Sequence, residues 1–301
     1  MPGWERLVEK EEDRLDRWLH CHLPGYSLRQ VRELIQTGRV TVQGRRATKG
    51  FRVQPRDRVR VEDLEPGTPG VRPEEGIIFE VVFEDESLAV VDKPAGMPTH
   101  PLDPGETGTL LNGALARWPE LARAGKKPLE LGLVHRLDTK TSGLVLLAKT
   151  EASRRFLSAE LKAGKIRKIY RAVVQGRMEE KAGEITLALG HHPKDRRKMV
   201  AALTGQRLRG KPHPAITRFR VLRHGPDRTL LELELVTGVT HQLRVHLASL
   251  GHPVMGDDLY GTEPDPGSDR YRLQSFRIEF RHPKTKKLLQ LEATRPLTLD
   301  D

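Results

Sequence analysis

The sequence predicts an α+β protein in which a large domain with a mixed, largely antiparallel sheet follows a small, basic α/β domain. Strand-like apolar runs outnumber helical stripes in the second half of the chain, and frequent hairpin turns separate them. The first part instead shows two amphipathic helices beside short strands. A stretch rich in proline and glycine separates the two parts, which indicates two domains.

The composition is that of a folded and strongly basic chain. Its 301 residues are 37% hydrophobic with a net charge of +11, and the apolar residues recur periodically, which excludes general disorder. No apolar run approaches the length of a membrane span and no signal-peptide core is present. We therefore expect a cytoplasmic protein that does not enter membranes, and we expect a monomer. The one cysteine, Cys21, excludes an internal disulfide and is predicted to pack as a small apolar residue.

Residues 13–62 predict a compact basic domain. They hold twelve Arg and Lys against five Asp and Glu, an excess that favours a polyanionic partner, although a solvated basic face would have the same composition. Apolar stripes predict two helices, of which the second begins after a cap at Ser27 and ends at Gly38. Valines that alternate with polar residues around a turn at Gln43-Gly44 predict short strands.

The run SLRQVRELIQTGRVTVQGRRATKG, residues 27–50, resembles the S4-type RNA-binding domain. Such a domain holds structured RNA on the face formed by its second helix and the following turn. The resemblance implies that structured RNA is the partner and that arginines on this face contact its phosphates. These arginines are Arg29, Arg32, Arg39, Arg45 and Arg46.

The predicted domains are residues 1–62 and residues 76–301. Between them, DLEPGTPGVRPEE at residues 63–75 has the composition of an exposed, semi-rigid linker. The larger domain opens with a predicted hairpin around the acidic turn 84–87, followed by a helix capped by Thr107 or Thr109. A second helix is predicted around residues 156–161, and further strands at 143–148, 168–176, 184–189, 216–221 and 229–236.

The stretch HRLDTKTSGLVLLAKT, residues 135–150, joins a polar loop to a buried strand. The apolar run 143–148 has the length and β-branching of that strand. The loop before it carries Arg136 and a single carboxylate, Asp138, and polar loops at the end of core strands often form sites. On this stretch alone, a surface ion pair between these two residues is an equally good interpretation.

The stretch TGVTHQLRVHLASLGHPVMGDDLYG, residues 237–261, predicts a helix that begins at a Thr240 cap, ends at Gly251 and carries Arg244 in its first turn. His241 and His246 are five residues apart, so they do not share a helical face as a zinc pair would. No H-E-x-x-H, cysteine cluster, G-x-G-x-x-G or P-loop pattern occurs. The sequence therefore predicts neither a metal nor a nucleotide cofactor.

These two stretches, with DKPAGMPTHP before them and KIYRAVVQG between them, resemble the RluA-type family of pseudouridine synthases. The likeness runs from about residue 77 to the C-terminus. It implies the pseudouridine synthase fold and an isomerase that detaches uracil from ribose and rejoins it through carbon five, without cofactor or metal. Members with an N-terminal S4-type domain resemble the enzymes that modify large-subunit ribosomal RNA.

The same resemblance assigns catalytic roles to three residues. Asp138 matches the catalytic carboxylate, which acts as a nucleophile or as a base toward the ribose. Arg244 matches the arginine that pairs with this carboxylate and keeps it ionised in a buried pocket. Tyr170 matches the aromatic residue that stacks on the target base.

Substrate-binding roles are implied for residues near the catalytic set. Arg136 matches the arginine that fills the space left by the flipped base, where a planar cation offsets part of the unstacking cost. Leu243 matches a residue that lines the pocket, and His135 stands beside Arg136 in the substrate-binding set. The basic run from Lys194 to Lys198 is another candidate RNA contact, although solvated charge is an equal interpretation.

Three departures from the family pattern concern the pocket mouth and therefore the choice of substrate. Val239 stands where many relatives have arginine, Lys140 where many have an acid, and Gln274-Ser275 where many have His-Ala. Two other classes of protein fit parts of the sequence, a non-catalytic RNA-binding or ribosome-assembly factor and a different glycosidic-bond enzyme. A tRNA-directed pseudouridine synthase is an alternative to the ribosomal one. The absence of a second predicted catalytic carboxylate argues against a glycosidase.

Overall fold

The computed structural model describes residues 4–9, 13–23, 26, 28–62, 70–125, 129–203, 205, 207–261 and 270–300. The predicted cap at Ser27 and the side chain of Arg29 lie outside the described part, as do residues 63–69 of the predicted linker.

The N-terminal part folds around a core of its own, in which Leu19, Val31 and Val59 are fully buried. Its described helices are α1 (Leu15–His22) and α2 (Leu28–Gln36). Its described strands are β1 (Trp4–Leu7), β2 (Asp13–Arg14), β3 (Val40–Val42), β4 (Arg45–Arg46), β5 (Arg52–Val53) and β6 (Arg58–Val61). They form a sheet of order β1-β6-β3-β4 and a separate pair, β2 with β5.

Two predicted turns of this part are confirmed. Gly38, with φ +74°, donates its N–H to the carbonyl of Ile35 and ends α2. Gln43 and Gly44 both have positive φ, as a tight turn between β3 and β4 requires. The prediction for Cys21 was wrong, because this residue is exposed on the side of α1 that faces away from the buried Leu19.

The large domain is built on one sheet of mixed, largely antiparallel strands, as predicted. Its strand bounds are β7 (Glu80–Glu84), β8 (Leu88–Lys93), β9 (Ser142–Ala148), β10 (Arg167–Gln175), β11 (Ala182–Ile185), β15 (Thr217–His224), β16 (Arg228–Leu235), β17 (Leu273–Arg281) and β18 (Leu288–Glu292). The order in the described residues is β11-β15-β16-β10-β17-β9-β8-β7, and β18 pairs with β17. Only β9 and β17 run parallel among these pairs.

The helices of the large domain alternate with its strands along the chain. The described helices are α3 (Leu110–Arg117), the 3₁₀ helix Pro119–Arg123, α4 (Glu151–Lys162) and α5 (Gln242–Ser249). The predicted Thr109 cap is confirmed, since its side chain accepts from the backbone N–H of Asn112 in a capping box. Strand β9 alternates between two core clusters, with Val145 in one and Leu146 in the other. Burial on both faces explains why its sequence is a continuous apolar run.

The predicted strand at residues 184–189 divides between two sheets. Residues 182–185 belong to the main sheet, whereas the chain then enters a small described sheet of β12 (Leu189–His191), β13 (Met199–Ala201) and β14 (Arg209–His213). The basic run from Lys194 to Lys198 lies in the connection between β12 and β13.

The predicted start of α5 was also wrong. The helix begins at Gln242, and the preceding residue is His241 rather than Thr240, with a left-handed backbone of φ +56°. The Gln242 side chain folds back to accept hydrogen bonds from the backbone N–H of Val239 and from the hydroxyl of Thr237. These two hydrogen bonds stabilise the turn before the helix, where a cap by Thr240 was predicted.

Candidate active site

A cleft of about 760 Å³ lies between the loop before β9, strand β10 and the first turn of α5. The structure brings together the six residues that the sequence predicted for the catalytic and substrate-binding set. All six line the cleft: His135, Arg136, Asp138, Tyr170, Leu243 and Arg244.

The loop that carries Asp138 is fixed by a lysine from β8. Lys93 is fully buried, and its ammonium group donates to the carbonyls of Pro94 at 2.9 Å, Met97 at 2.7 Å and Thr139 at 3.1 Å. Burial lowers the pKa of Lys93 to about 8, and the charges of Asp138 and Asp92 act against this shift. Lys93 has no predicted role, because a lysine next to a strand normally indicates an exposed position.

Two further contacts hold the same loop from behind. The hydroxyl of Thr99 donates to the carbonyl of Leu137 at 2.7 Å and accepts from the backbone N–H of Leu137 at 3.1 Å. At the start of β9, Gly143 has φ +108°, and a Cβ there would lie 2.3 Å from the carbonyl oxygen of Ser275. A glycine is therefore required for β9 to approach β17, and this approach positions the loop.

Arg244 is buried and binds two carboxylates and a phenol. Its Nη1 donates to Oδ2 of Asp138 at 2.8 Å, while Nε and Nη2 donate to Asp257 at 2.6 and 2.8 Å. Nη2 also donates to the hydroxyl of Tyr271 at 2.9 Å. Burial alone would lower the pKa of Arg244, but the charges of Asp257 and Asp138 raise it above its usual value. The guanidinium is thus a permanent cation in a fixed orientation.

Asp138 is the more accessible of the two carboxylates. Its side chain is 28% exposed, whereas that of Asp257 is fully buried. Arg244 donates to Oδ2, and no described residue donates to Oδ1. Asp138 can therefore meet a ligand in the cleft while its ion pair stays intact. The alternative of a surface pair between Arg136 and Asp138 was wrong, because Arg244 takes that place.

His241 stands beside Asp138. Its Nε2 lies 3.8 Å from Oδ2 of Asp138, and its Nδ1 lies 2.8 Å from the hydroxyl of Tyr260. That hydroxyl accepts from the backbone N–H of Met199 on β13 at 2.8 Å. Burial lowers the pKa of His241, and the charge of Asp138 partly opposes this. From the sequence, His241 was only excluded as half of a zinc pair with His246, and in the structure its left-handed backbone distinguishes it.

Tyr170 and Leu243 form the apolar wall of the cleft. Tyr170 is 5% exposed and Leu243 is 4% exposed, and both belong to the main core cluster. Burial raises the pKa of Tyr170 above its usual value, so the phenol is neutral. A neutral, rigid aromatic ring of this kind can offer its face or edge to a base.

His135 and Arg136 differ in their surroundings although they are neighbours in sequence. The Nε2 of His135 accepts from the backbone N–H of Leu146 at 3.2 Å. Burial, followed by the charge of Lys168, lowers the pKa of His135 to about 3, so its ring is neutral. Arg136 is exposed, and its Nη1 lies 3.5 Å from Nε2 of His100.

Three residues that depart from the family pattern, Lys140, Val239 and Gln274, have partners within the protein. Lys140 donates to Asp258 at 3.2 Å. Val239 packs in a small cluster with Met199, and its backbone N–H donates to Gln242. The buried Gln274 joins β17 to the C-terminal segment by hydrogen bonds to the backbone of Arg295 and Leu297.

Of the predicted RNA-binding arginines, Arg32, Arg39, Arg45 and Arg46 do not line the cleft. Arg45 and Arg46 are exposed on β4, and Arg39 is half-buried. Arg32 donates from Nε to Asp16 at 2.8 Å. Burial alone would raise the pKa of Asp16, but hydrogen bonds from Arg14 and Arg32 lower it to about 2. Arg32 therefore already has an acidic partner in the protein.

The described part of the chain contains neither a cluster of metal ligands nor a membrane-spanning helix. No group of three or more His, Cys, Asp or Glu side chains there could hold a metal ion. No helix within the described ranges is long and apolar enough to cross a membrane.

Two family models match the chain. Residues 87–249 match the RNA pseudouridylate synthase model, and this range includes the six cleft residues named above. Residues 13–59 match the S4 domain model.

Curated relatives cover almost the whole chain. The RNA pseudouridine synthase YlyB of Bacillus subtilis is 33% identical over 96% of this chain and 92% of its own length. Ribosomal large subunit pseudouridine synthase D of Nitrosomonas europaea is 35% identical over 94% of this chain and 81% of its own length. Among solved structures, human RNA pseudouridylate synthase domain containing 1 is 26% identical with a TM-score of 0.62, covering 76% of this chain and 89% of that one.

Proposed function

The chain belongs to the RluA-type family of RNA pseudouridine synthases, and we propose that it isomerises uridines of large-subunit ribosomal RNA with Asp138 as the single reacting carboxylate and without a cofactor. The observation that carries the proposal is the pair of Asp138 and Arg244 in the cleft. One oxygen of the carboxylate accepts a charge-assisted hydrogen bond at 2.8 Å, and the other has no donor among the described residues.

The isomerisation breaks the bond between N1 of uracil and C1′ of ribose and forms a bond between C5 and C1′. The proton on C5 is lost and N1 gains a proton, so that no co-substrate is consumed. Asp138 can attack C1′ as a nucleophile or remove a proton from the ribose as a base. In both roles the carboxylate keeps its ion pair with the preformed Arg244 cation at 2.8 Å.

The target uridine must leave its stack to reach Asp138, at a cost of a few kcal/mol. Arg136 is exposed next to the cleft, which suits a planar cation that fills the vacated space. Tyr170 lies in the cleft wall, where its ring is available to the flipped base. The neutral His135 accepts a hydrogen bond from the backbone of β9. We therefore assign it the role of positioning its neighbour Arg136.

Large-subunit ribosomal RNA is proposed as the substrate on two grounds. Relatives that this chain matches over 81% and 77% of their own length carry the name ribosomal large subunit pseudouridine synthase D. The N-terminal S4 domain, proposed to extend over residues 1–62, presents Arg45 and Arg46 to solvent, and exposed arginines of this kind suit the phosphates of structured RNA. A cytoplasmic location is consistent with that substrate.

The substrate is tested with protein-free RNA from a strain that lacks the gene. The purified protein is incubated separately with large-subunit ribosomal RNA and with total tRNA, and pseudouridines are mapped chemically at single-nucleotide resolution. We expect new pseudouridines in the ribosomal RNA only. Modification of tRNA alone would overturn the proposed substrate, and no modification of either RNA would overturn the proposed function.

A further inference from the structure

One cleft residue, Lys168, has no place in the mechanism so far. It lies on β10 two residues before Tyr170, and both residues line the cleft. Alternate residues of a strand point to the same face, which explains why these two side chains share the cleft wall. A Cβ built on Gly238, another cleft residue, would lie 3.5 Å from Nζ of Lys168. The ammonium group is therefore at the cleft wall.

Lys168 is a buried cation without a counter-ion. It is 8% exposed, and no described residue accepts a hydrogen bond from its Nζ or forms an ion pair with it. Burial lowers the pKa of Lys168 to about 8, and no neighbouring charge opposes this shift. Nζ of Lys168 is not among the fully buried side-chain nitrogens that lack a partner, so the ammonium group is open to the cleft, where its partial desolvation is still costly.

The other two buried lysines of the described chain both have partners within the protein. Lys93 is surrounded by three carbonyl acceptors. Lys149, 7% exposed, pairs with Glu84 at 2.8 Å and with Glu120 at 3.4 Å. Lys168 is the exception among the three. The missing partner of Lys168 is thus expected to be an anionic or strongly polar group of the ligand that enters the cleft.

Building on the proposed function, we propose that Lys168 is a catalytic residue that donates a hydrogen bond to a carbonyl oxygen of the target uracil and stabilises the negative charge of the uracil as the glycosidic bond breaks. When N1 separates from C1′, the electron pair stays on the uracil and spreads over N1, O2 and O4. A cation held in a low-dielectric cleft stabilises such a charge without reorganisation. This charge develops whether Asp138 acts as nucleophile or as base.

Lys168 keeps its proton throughout this step. The uracil then rejoins the ribose through C5, the C5 proton leaves, and N1 takes up a proton, so the atoms balance without net transfer from the lysine. A phosphate is the other anionic group of a nucleotide. The base is favoured here because Lys168 lies beside Tyr170 in the wall of the cleft and is 92% buried, whereas RNA phosphates follow the protein surface.

The titratable groups around Lys168 do not neutralise it. His135 lines the same cleft and is neutral, and Asp138 is bound to Arg244. On the strands that flank β10, Glu234 and Glu279 both pair with Arg167, the neighbour of Lys168 that points to the other face. The protonation of Lys168 is therefore set by its burial and by the bound substrate.

The test compares Lys168→Met and Lys168→Arg with Lys165→Met. Lys165 is exposed, pairs with Glu160 and does not line the cleft, so its variant removes a nearby positive charge without touching the site. Turnover is followed as tritium release from RNA labelled at C5 of uracil, and RNA affinity is measured separately. Thermal unfolding checks that each variant is folded.

We expect Lys168→Met to lower kcat about 10²-fold with unchanged RNA affinity, which is the typical effect of removing one preorganised donor to a developing anion. Lys168→Arg should restore most of the activity and move the alkaline limb of the kcat profile to higher pH, since arginine stays charged. Lys165→Met should behave as the wild type.

The proposal is overturned by a Lys168→Met variant with wild-type kcat. It is also overturned by weakened RNA binding with unchanged kcat, which would indicate a phosphate contact. If Lys168→Met does not fold, the pH dependence of kcat in Lys168→Arg tests the proposal instead. An alkaline limb at the same pH as in the wild type would contradict the proposal. A wild-type protein that releases no tritium would instead refute the proposed function and not the role of Lys168 in particular.

Discussion

Asp257, rather than Asp138, is the carboxylate that orients Arg244. It accepts hydrogen bonds from Nε and Nη2 at 2.6 and 2.8 Å, whereas Asp138 accepts a single bond from Nη1. The guanidinium is therefore fixed by a residue that does not line the cleft and presents only one donor to Asp138. This arrangement lets Asp138 take part in a reaction without loss of the cation that stabilises it.

Replacement of Asp257 by asparagine tests this arrangement. Loss of one partner of a buried ion pair leaves an uncompensated charge, so we expect the free energy of unfolding to fall by about 3 kcal/mol and kcat to fall with it. Denaturant unfolding and tritium release measure the two effects. Asp258→Asn is the matched control, because the Asp258 side chain is 56% exposed. Equal effects of the two variants would contradict the role of Asp257.

The pair of Asp138 and Arg244 could be predicted from the sequence because both residues fall in motifs of the resembling family. Asp257 lies in the same stretch as Arg244 but was not singled out, because neither carboxylate of its Gly-Asp-Asp run has a pattern of its own. Which of the two adjacent acids is buried depends on how the chain after α5 returns toward the cleft. That path is set by long-range packing.

Lys93→Met should separate the positioning of the Asp138 loop from the binding of RNA. The substitution leaves three carbonyls without their donor, so we expect lower stability, by about 3 kcal/mol, and lower kcat with unchanged RNA affinity. Lys149→Met is the control, because it removes another buried lysine that lies at the opposite end of β9 from the Asp138 loop. The control should lose stability and keep kcat. An unchanged kcat in Lys93→Met would contradict the positioning role.

Because His135 is neutral in the folded protein, we expect the free energy of unfolding to fall at acidic pH. Its pKa is lowered to about 3 in the folded protein from 6.5, so between these values the unfolded chain binds more protons than the folded one. The contribution of His135 to the free energy of unfolding is complete above pH 6.5. It is lost as the pH falls below this value, by at most about 1.4 kcal/mol per pH unit. Urea unfolding of wild type and His135→Gln at pH 7 and pH 5 should show that the advantage of the wild type shrinks at pH 5. A constant difference would contradict a neutral His135.

The double variant Arg45→Gln/Arg46→Gln tests the RNA-binding surface of the N-terminal part. We expect weaker binding of long ribosomal RNA and a salt dependence whose slope falls by about 0.7–0.9 for each lost phosphate contact. Turnover of a short RNA that only fills the cleft should not change. Arg218→Gln/Arg220→Gln is the control, because these arginines are exposed on β15 and pair with glutamates. If the affinity of the double variant depended on salt with the same slope as that of the wild type, Arg45 and Arg46 would not contact phosphates.

The parts of the fold that escaped prediction share a physical reason. The strands of the small sheet, β12 to β14, are short and mostly polar, so they lack the apolar alternation that indicates a strand. Lys168 resembles any lysine of an edge strand in the sequence, because burial without a partner is a property of the tertiary structure. The start of α5 was misplaced because Thr240 is a good cap by residue type, whereas Gln242 holds the turn through contacts outside the helix.

The central claim is that Asp138 carries the isomerisation. RNA labelled with tritium at C5 of uracil is incubated with the wild-type protein and with Asp138→Asn, and released tritium and free uracil are both measured. Because Arg244 keeps its two bonds to Asp257, the variant should fold and bind RNA as the wild type does. The account predicts release of tritium without free uracil by the wild type, and release at background level by Asp138→Asn. Turnover retained in the folded variant would contradict it.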